Sequence, residues 1–157
     1  MAEEQPQPSF QIEKIYVKDL SLEIPNAPQV FLEAQTPQLE IQVRNESTRF
    51  ADGLFEVVIT VTVTAKAGEK TLFLAEAAQA GIFSVRNVPS ADLEPLLAVA
   101  CPTILYPYAR EAVSDAVTRG GFPPVLLAPV SFEALYAQRQ QQQQRGAGDA
   151  PRVETAS

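Results

Sequence analysis

The sequence predicts an α+β fold: a four-stranded antiparallel sheet with a crossover loop after strand 1 and helices packed on one face. Three observations carry that expectation. Apolar and polar residues alternate in four stretches before residue 80, the apolar spacing turns helical after residue 90, and only the first stretch is followed by a long proline-rich connection.

The first stretch runs from Phe10 to Ile24. Its even positions include Phe10, Ile12, Tyr16, Leu20 and Leu22, its odd positions Glu13, Asp19 and Glu23, so one buried and one wet face are expected. The segment from Pro25 to Pro37 holds too many prolines for a strand and is too long for a hairpin, which makes it a loop that crosses the sheet. Alternation resumes at Leu39, Ile41 and Val43 and breaks in the polar stretch from Asn45 to Gly53. It returns from Phe55 to Ala65 as a β-branched run, the strongest strand of the chain. A turn at Lys66 to Glu69 leads to a fourth strand from Thr71 to about Gln79. There the small Ala75 and Ala77 let a helix approach closely, so the helices are expected over Phe73, Ala75, Ala77 and Gln79. Leu74 and Glu76 then join Asp19 and Glu23 on the open face.

Beyond Phe83 the pattern predicts a short helix over Asp92–Ala100 and a longer one from Pro107 to Arg119, with Tyr108, Ala112, Val113, Ala116 and Val117 as its apolar stripe. Gly120 and Gly121 supply the stop. Ser131 suits the N-cap of a last helix whose apolar side is Phe132, Leu135 and Tyr136 and which frays from Gln140. One domain is therefore expected over residues 10–139, between a flexible N-terminus (1–9) and a flexible C-terminal tail (140–157).

Composition narrows the function. With no histidine, the Ser-His-Asp and Cys-His arrangements and His-ligated zinc are excluded, so the chain is not expected to be an enzyme. Cys101 stands alone in an apolar run, as a buried and inert thiol would. No glycine-rich phosphate loop, Cys pair or calcium spacing is present, which leaves cofactor and metal without a motif; Glu111 and Asp115 read as a solvated helix face. The net charge of -7 disfavours nucleic acid and anionic lipid as partners. The longest apolar stretch, Leu96 to Ala109, is shorter than the roughly 20 residues of a membrane span. An acidic, proline-bearing start and a single cysteine lead to the expectation of a cytoplasmic protein.

Four segments carry a resemblance: FQIEKIYVKDLSLEIPNAP (Phe10–Pro28), EVVITVTVTA (Glu56–Ala65), AGIFSV (Ala80–Val85) and CPTILYPYAREAVSDAVTRGGFPPVLLAPVSFEALY (Cys101–Tyr136). Together they resemble the SecB protein-export chaperones. The resemblance implies an ATP-independent chaperone that binds unfolded secretory precursors, keeps them translocation-competent and delivers them to the SecA motor. It implies a homotetramer built as a dimer of dimers, which fits apolar stripes too extensive for one small domain to bury. Carried over by position, the motor-binding surface falls on Asp19, Glu23, Leu74 and Glu76, and residues that affect tetramer assembly fall on Ala75, Ala77 and Gln79. Client grooves in the family involve the crossover loop and the last helix, which makes Val30, Phe31, Leu32, Leu135 and Tyr136 the candidate client contacts here. The family's C-terminal tail makes a second contact with the motor's zinc-binding tail. Some relatives carry a tryptophan near the position of Gln35, and this chain has none. A SecB-like chaperone dedicated to a toxin–antitoxin pair is the alternative, distinguished by neighbouring genes.

Overall fold

The computed structural model describes residues 6–34 and 36–148, so residues 1–5 of the expected N-terminal segment, Gln35 and the last nine residues of the expected tail lie outside the described residues. The strands are β1 (Ser9–Glu23), β2 (Gln38–Ala51), β3 (Leu54–Ala67) and β4 (Lys70–Arg86), followed by helices α1 (Ser90–Pro95), α2 (Cys101–Arg119) and α3 (Phe132–Gly148). All pairings are antiparallel, in the spatial order β1-β4-β3-β2. The loop after β1 therefore carries the chain from one edge of the sheet to the other, closing into a short 3-10 turn at Gln29–Leu32 on the way.

The core lies between the central strands and α2. From β3 come Val57, Ile59, Val61 and Val63, from β4 Ala75, Ala77 and Phe83, and from α2 Leu105, Ala109, Val113 and Val117, all buried. The alanines of β4 leave room for the helix. Gly81 goes further: a Cβ there would lie 2.7 Å from the Phe83 ring and 3.0 Å from Leu105.

Strand β1 departs from strict alternation. Its register against β4 slips between Ile12 and Lys14 and again between Val17 and Asp19, leaving Glu13 and Lys18 as extra residues. The slips have a clear effect. Phe10, Ile12, Ile15, Val17, Leu20 and Leu22 lie opposite Val85, Phe83, Gly81, Gln79, Ala77 and Ala75, and so gather on the helix side. Lys14, Tyr16, Asp19, Ser21 and Glu23 gather on the open side. Tyr16, expected with the apolar face, is thus on the opposite one.

Other boundaries also move. β4 continues to Arg86 instead of ending near Gln79, because Ala80 and Ser84 are buried as well as Phe83 and Val85, and two-sided burial erases the alternation. The polar stretch from Asn45 to Ala51 is strand, paired with Val57 and its neighbours on β3, slipping once at Phe50 before the turn at Gly53 (φ 67°) ends it. α2 starts at Cys101, and with α1 and one π turn (Leu96–Ala100) it makes an unbroken helical run that places Pro107 inside. Burial of Cys101, Pro102, Leu105 and Tyr106 outweighs the cost of that proline, about 3 kcal/mol. The stripe facing the sheet is rotated accordingly, and Tyr108 is half exposed. α3 runs through the glutamines to Gly148, so residues 140–148 are helical instead of frayed; glutamine is a good helix former.

Gly81→Ala is expected to lower stability by about 1–3 kcal/mol through overpacking against Phe83 and Leu105. Chemical denaturation with an unchanged m-value would verify this, and a neutral substitution would show that α2 can shift to make room.

Candidate functional site

The open side of the sheet brings the four expected docking residues together. Asp19 is opposite Ala78, Ser21 opposite Glu76, and Glu23 opposite Leu74, which sets Asp19, Glu23, Leu74 and Glu76 on adjacent strands facing one way. Glu76 accepts a 2.8 Å hydrogen bond from the Thr62 hydroxyl of β3. With helices only on the far side and alanines at Ala78 and Ala80, this surface is flat, and its carboxylates cluster near the crossover-loop end.

A second group lies further along the same face. The Tyr16 hydroxyl donates to Oε2 of Glu56, and Lys18 Nζ contacts Oε1 at 2.7 Å. Hydrogen bonds from Lys18 and then Tyr16 hold the Glu56 carboxyl below its ordinary range, against the effect of burial. Burial, with the Glu56 bond and charge behind it, pushes the Tyr16 phenol up to about 12. The lysine compensates the charge of Glu56, so the uncompensated negative charge sits around Asp19 and Glu23.

The helix side is apolar and only partly covered. Of the three loop candidates, Val30 is a core residue at 5% exposure, Phe31 is half exposed, and Leu32 is 88% exposed. The Phe31 ring packs on Phe122 (5.2 Å between centroids), which packs on Phe73 (4.8 Å), so the loop is seated on the core. Gly121 makes that seat possible, combining φ 90° with the absence of a Cβ that would come 3.1 Å from the Phe31 ring. On α3, the Ser131 hydroxyl accepts from the Ala134 amide at 3.2 Å as the expected cap, and Phe132 is buried edge-on against Tyr106. Leu135 remains 42% exposed, and the Tyr136 hydroxyl accepts from the Gln140 amide at 2.7 Å.

Further exposed apolar residues escaped the sequence reading, Leu39, Ile41, Phe50 and Leu126 among them. Leu39 and Ile41 lie on the helix side of β2, opposite the buried Ala65 and Val63, yet about 45% and 44% of their surface stays open. Leu126, in the segment between α2 and α3, is more exposed still. Alternation identified Leu39 and Ile41 as one face of a strand; it carried no sign that α2 would lie over β3 and β4 and stop short of β2.

Ala75, Ala77 and Gln79 are buried on the side of the sheet that the chain's own α2 covers. Beside them on the helix side of β1, half-exposed Val17, Leu20 and Tyr108 line a shallow depression floored by Ile15, Gln79 and Ala112. Cys101 is fully buried, and burial pushes its thiol up to about 12, so it stays protonated and unreactive at neutral pH. Among the described residues no group of His, Cys, Asp and Glu is placed to hold a metal ion, and no helix is long and apolar enough to cross a membrane.

An open-faced α+β scaffold with one acidic flat and one partly bare apolar side is the framework of a protein-binding module. The family model for preprotein translocase subunit SecB matches residues 3–143. The chain is 63% identical to the protein-export protein SecB of Chromobacterium violaceum, over 96% of this chain and all of that protein. It is 57% identical to that of Neisseria gonorrhoeae, over 92% and 99% of the two chains. Among solved structures, the SecB-like chaperone Rv1957 of Mycobacterium tuberculosis, in complex with a ChAD peptide from the HigA1 antitoxin, shares the fold with a TM-score of 0.64 at 21% identity. That match covers 77% of this chain and 90% of that one. This chain belongs to the SecB family of protein-export chaperones.

The raised Tyr16 phenol implies that folding favours its neutral form, a contribution present below about pH 10 and lost as pH rises through about 12. In an alkaline absorbance titration Glu56→Gln is expected to move one tyrosine back toward the ordinary value, and an unchanged titration curve would refute the coupling.

Proposed function

We propose that the chain is a non-enzymatic, ATP-independent chaperone that holds unfolded secretory precursors on its helix side and delivers them to the SecA motor through its open acidic face. The observation that carries this is the opposite character of the two sides. Phe31, Leu32, Leu39, Ile41 and Leu135 leave apolar surface open at the crossover loop, at the β2 edge and on α3, while Asp19, Glu23 and Glu76 occupy a flat polar sheet. An unfolded chain has no shape to match, so affinity must come from many apolar contacts of about 25 cal/mol per Å² each, repeated over linked subsites. Clustered carboxylates attract a basic partner instead, with a strong dependence on ionic strength. In sequence the chain resembles export proteins, and it resembles the antitoxin-bound chaperone only in fold.

Assembly into a cytoplasmic homotetramer, a dimer of dimers, would cover the half-exposed Ile12, Val17, Leu20 and Tyr108. Ala75, Ala77 and Gln79 would act on that assembly indirectly, by setting how α2 and β1 sit. A second motor contact by the tail would involve residues beyond Gly148, outside those described.

Phe31→Ala and Tyr136→Ala are expected to weaken an unfolded precursor's binding roughly tenfold without changing tetramer mass in sedimentation or thermal stability. Unaltered affinity in both variants would remove these residues from the client surface. Glu76→Lys is expected to weaken SecA binding, most at low salt, and to spare suppression of precursor aggregation without ATP. Equal loss of both activities would show the open face to be structural. A single species near 17 kDa at micromolar concentration would refute the tetramer.

A further inference from the structure

The extra residue of β1 at Lys18 decides what the rest of the strand presents. Val17 lies opposite Gln79, and after the slip Asp19 lies opposite Ala78, Ser21 opposite Glu76 and Glu23 opposite Leu74. Without that extra residue the register would place Asp19 opposite Ala77 and Leu20 opposite Glu76, turning the carboxylates under the sheet and the leucines out to solvent. We propose that this bulge is a register device pinned from both faces of the sheet, with Glu56 and Gln79 as positioning residues that keep Asp19 and Glu23 on the docking surface.

Each face supplies one pin. On the open side Glu56 reaches from β3 across β4 and holds both the hydroxyl of Tyr16 and the ammonium of Lys18, residues on either side of the slip's start. On the helix side the buried Gln79 donates from Nε2 to the Tyr16 main-chain carbonyl at 3.1 Å, at a point where a bulge disturbs the ladder. The upstream bulge is different. Its extra residue, Glu13, is exposed, and among the described residues its side chain takes part in no hydrogen bond or ion pair. Each slip resets the side of every residue beyond it, and the one at Lys18, immediately before Asp19, is the one that is tied down. The register claim stands on this geometry alone; its consequence for motor docking rests on the function proposed above.

Disulfide trapping in the full-length protein reads the register directly. Directly opposite residues on antiparallel strands have Cα separations within disulfide range. Ser21→Cys with Glu76→Cys is expected to cross-link under mild oxidation, and Leu20→Cys with Glu76→Cys is not; Cys101 is buried and stays out of the reaction. Adding Glu56→Gln and Gln79→Met is expected to lower the first yield several-fold and to bring up the second, with assembly mass in sedimentation and melting checked first. Lys18→Arg, which keeps the cation, is expected to preserve the original pattern. Should the double variant not fold, Glu56→Gln alone, at the partly exposed end of the network, carries the same test. An unaltered cross-linking pattern in a folded variant would overturn the proposal, whatever the motor does. A shifted pattern confirms the register device, and a fivefold or greater loss of SecA binding by Glu56→Gln then confirms its role in docking. Full SecA binding with a shifted pattern would retain the device and overturn the docking role.

Discussion

A single helix cannot cover four strands. Strands lie about 4.8 Å apart and a helix with its side chains is about 10 Å wide, so α2 shields roughly two of them. It settles over β3 and β4, where Ala75, Ala77 and Gly81 allow close approach, and this choice leaves the helix-side faces of both edge strands incompletely covered. From that mismatch follow two apolar strips, one on β1 at Val17 and Leu20 and one on β2 at Leu39 and Ile41. The proposed assembly and client surfaces are what a small sheet exposes when the helix lying across it is centred.

The crossover loop gives the two edges different histories. It leaves β1, packs Val30 into the core and seats Phe31 on Phe122, and then enters β2 at the far edge. β2 thus has α3 tied to it through Arg139, while the β1 strip is bordered by Tyr108, Glu111, Ala112 and Asp115 of α2. Asn45 ties the second region together, since its amide donates to the Ala98 carbonyl in the π turn and its oxygen accepts from Arg139 of α3. One polar side chain on β2 thereby links the π turn to the last helix, which Phe132 anchors in the core.

The strand count, the crossing connection and the acidic face could be read from the sequence because each leaves a periodic or compositional mark. Asp19 and Glu23 kept their expected face even though the strand slips twice, since both lie beyond the second slip and four residues apart. Tyr16 did not, because a bulge has no local signature when Lys18 and Glu13 look like ordinary surface residues. β4 beyond Gln79 was hidden by burial on both faces, and exposed Pro107 pointed to a helix start because the packing of Cys101, Pro102, Leu105 and Tyr106, which carries the helix further upstream, leaves no local mark in the sequence. Exposure of Leu39 and Ile41 was illegible for the same reason: it depends on where a distant helix comes to rest.

The outer edge of β2 carries a further meaning. Its 14 residues leave an open row of backbone donors and acceptors, the kind of row on which a stray extended chain can template a fibril. A protein that handles unfolded chains meets such strands continually. Glu40, Arg44, Glu46 and Arg49 alternate in sign along that border, two on each charge, and Arg49 is tied back to Asp52 at 2.9 Å. Any segment stacking there must strip water from ions of both signs, which makes polymerisation costly while the apolar side chains on the neighbouring face stay available for reversible contact.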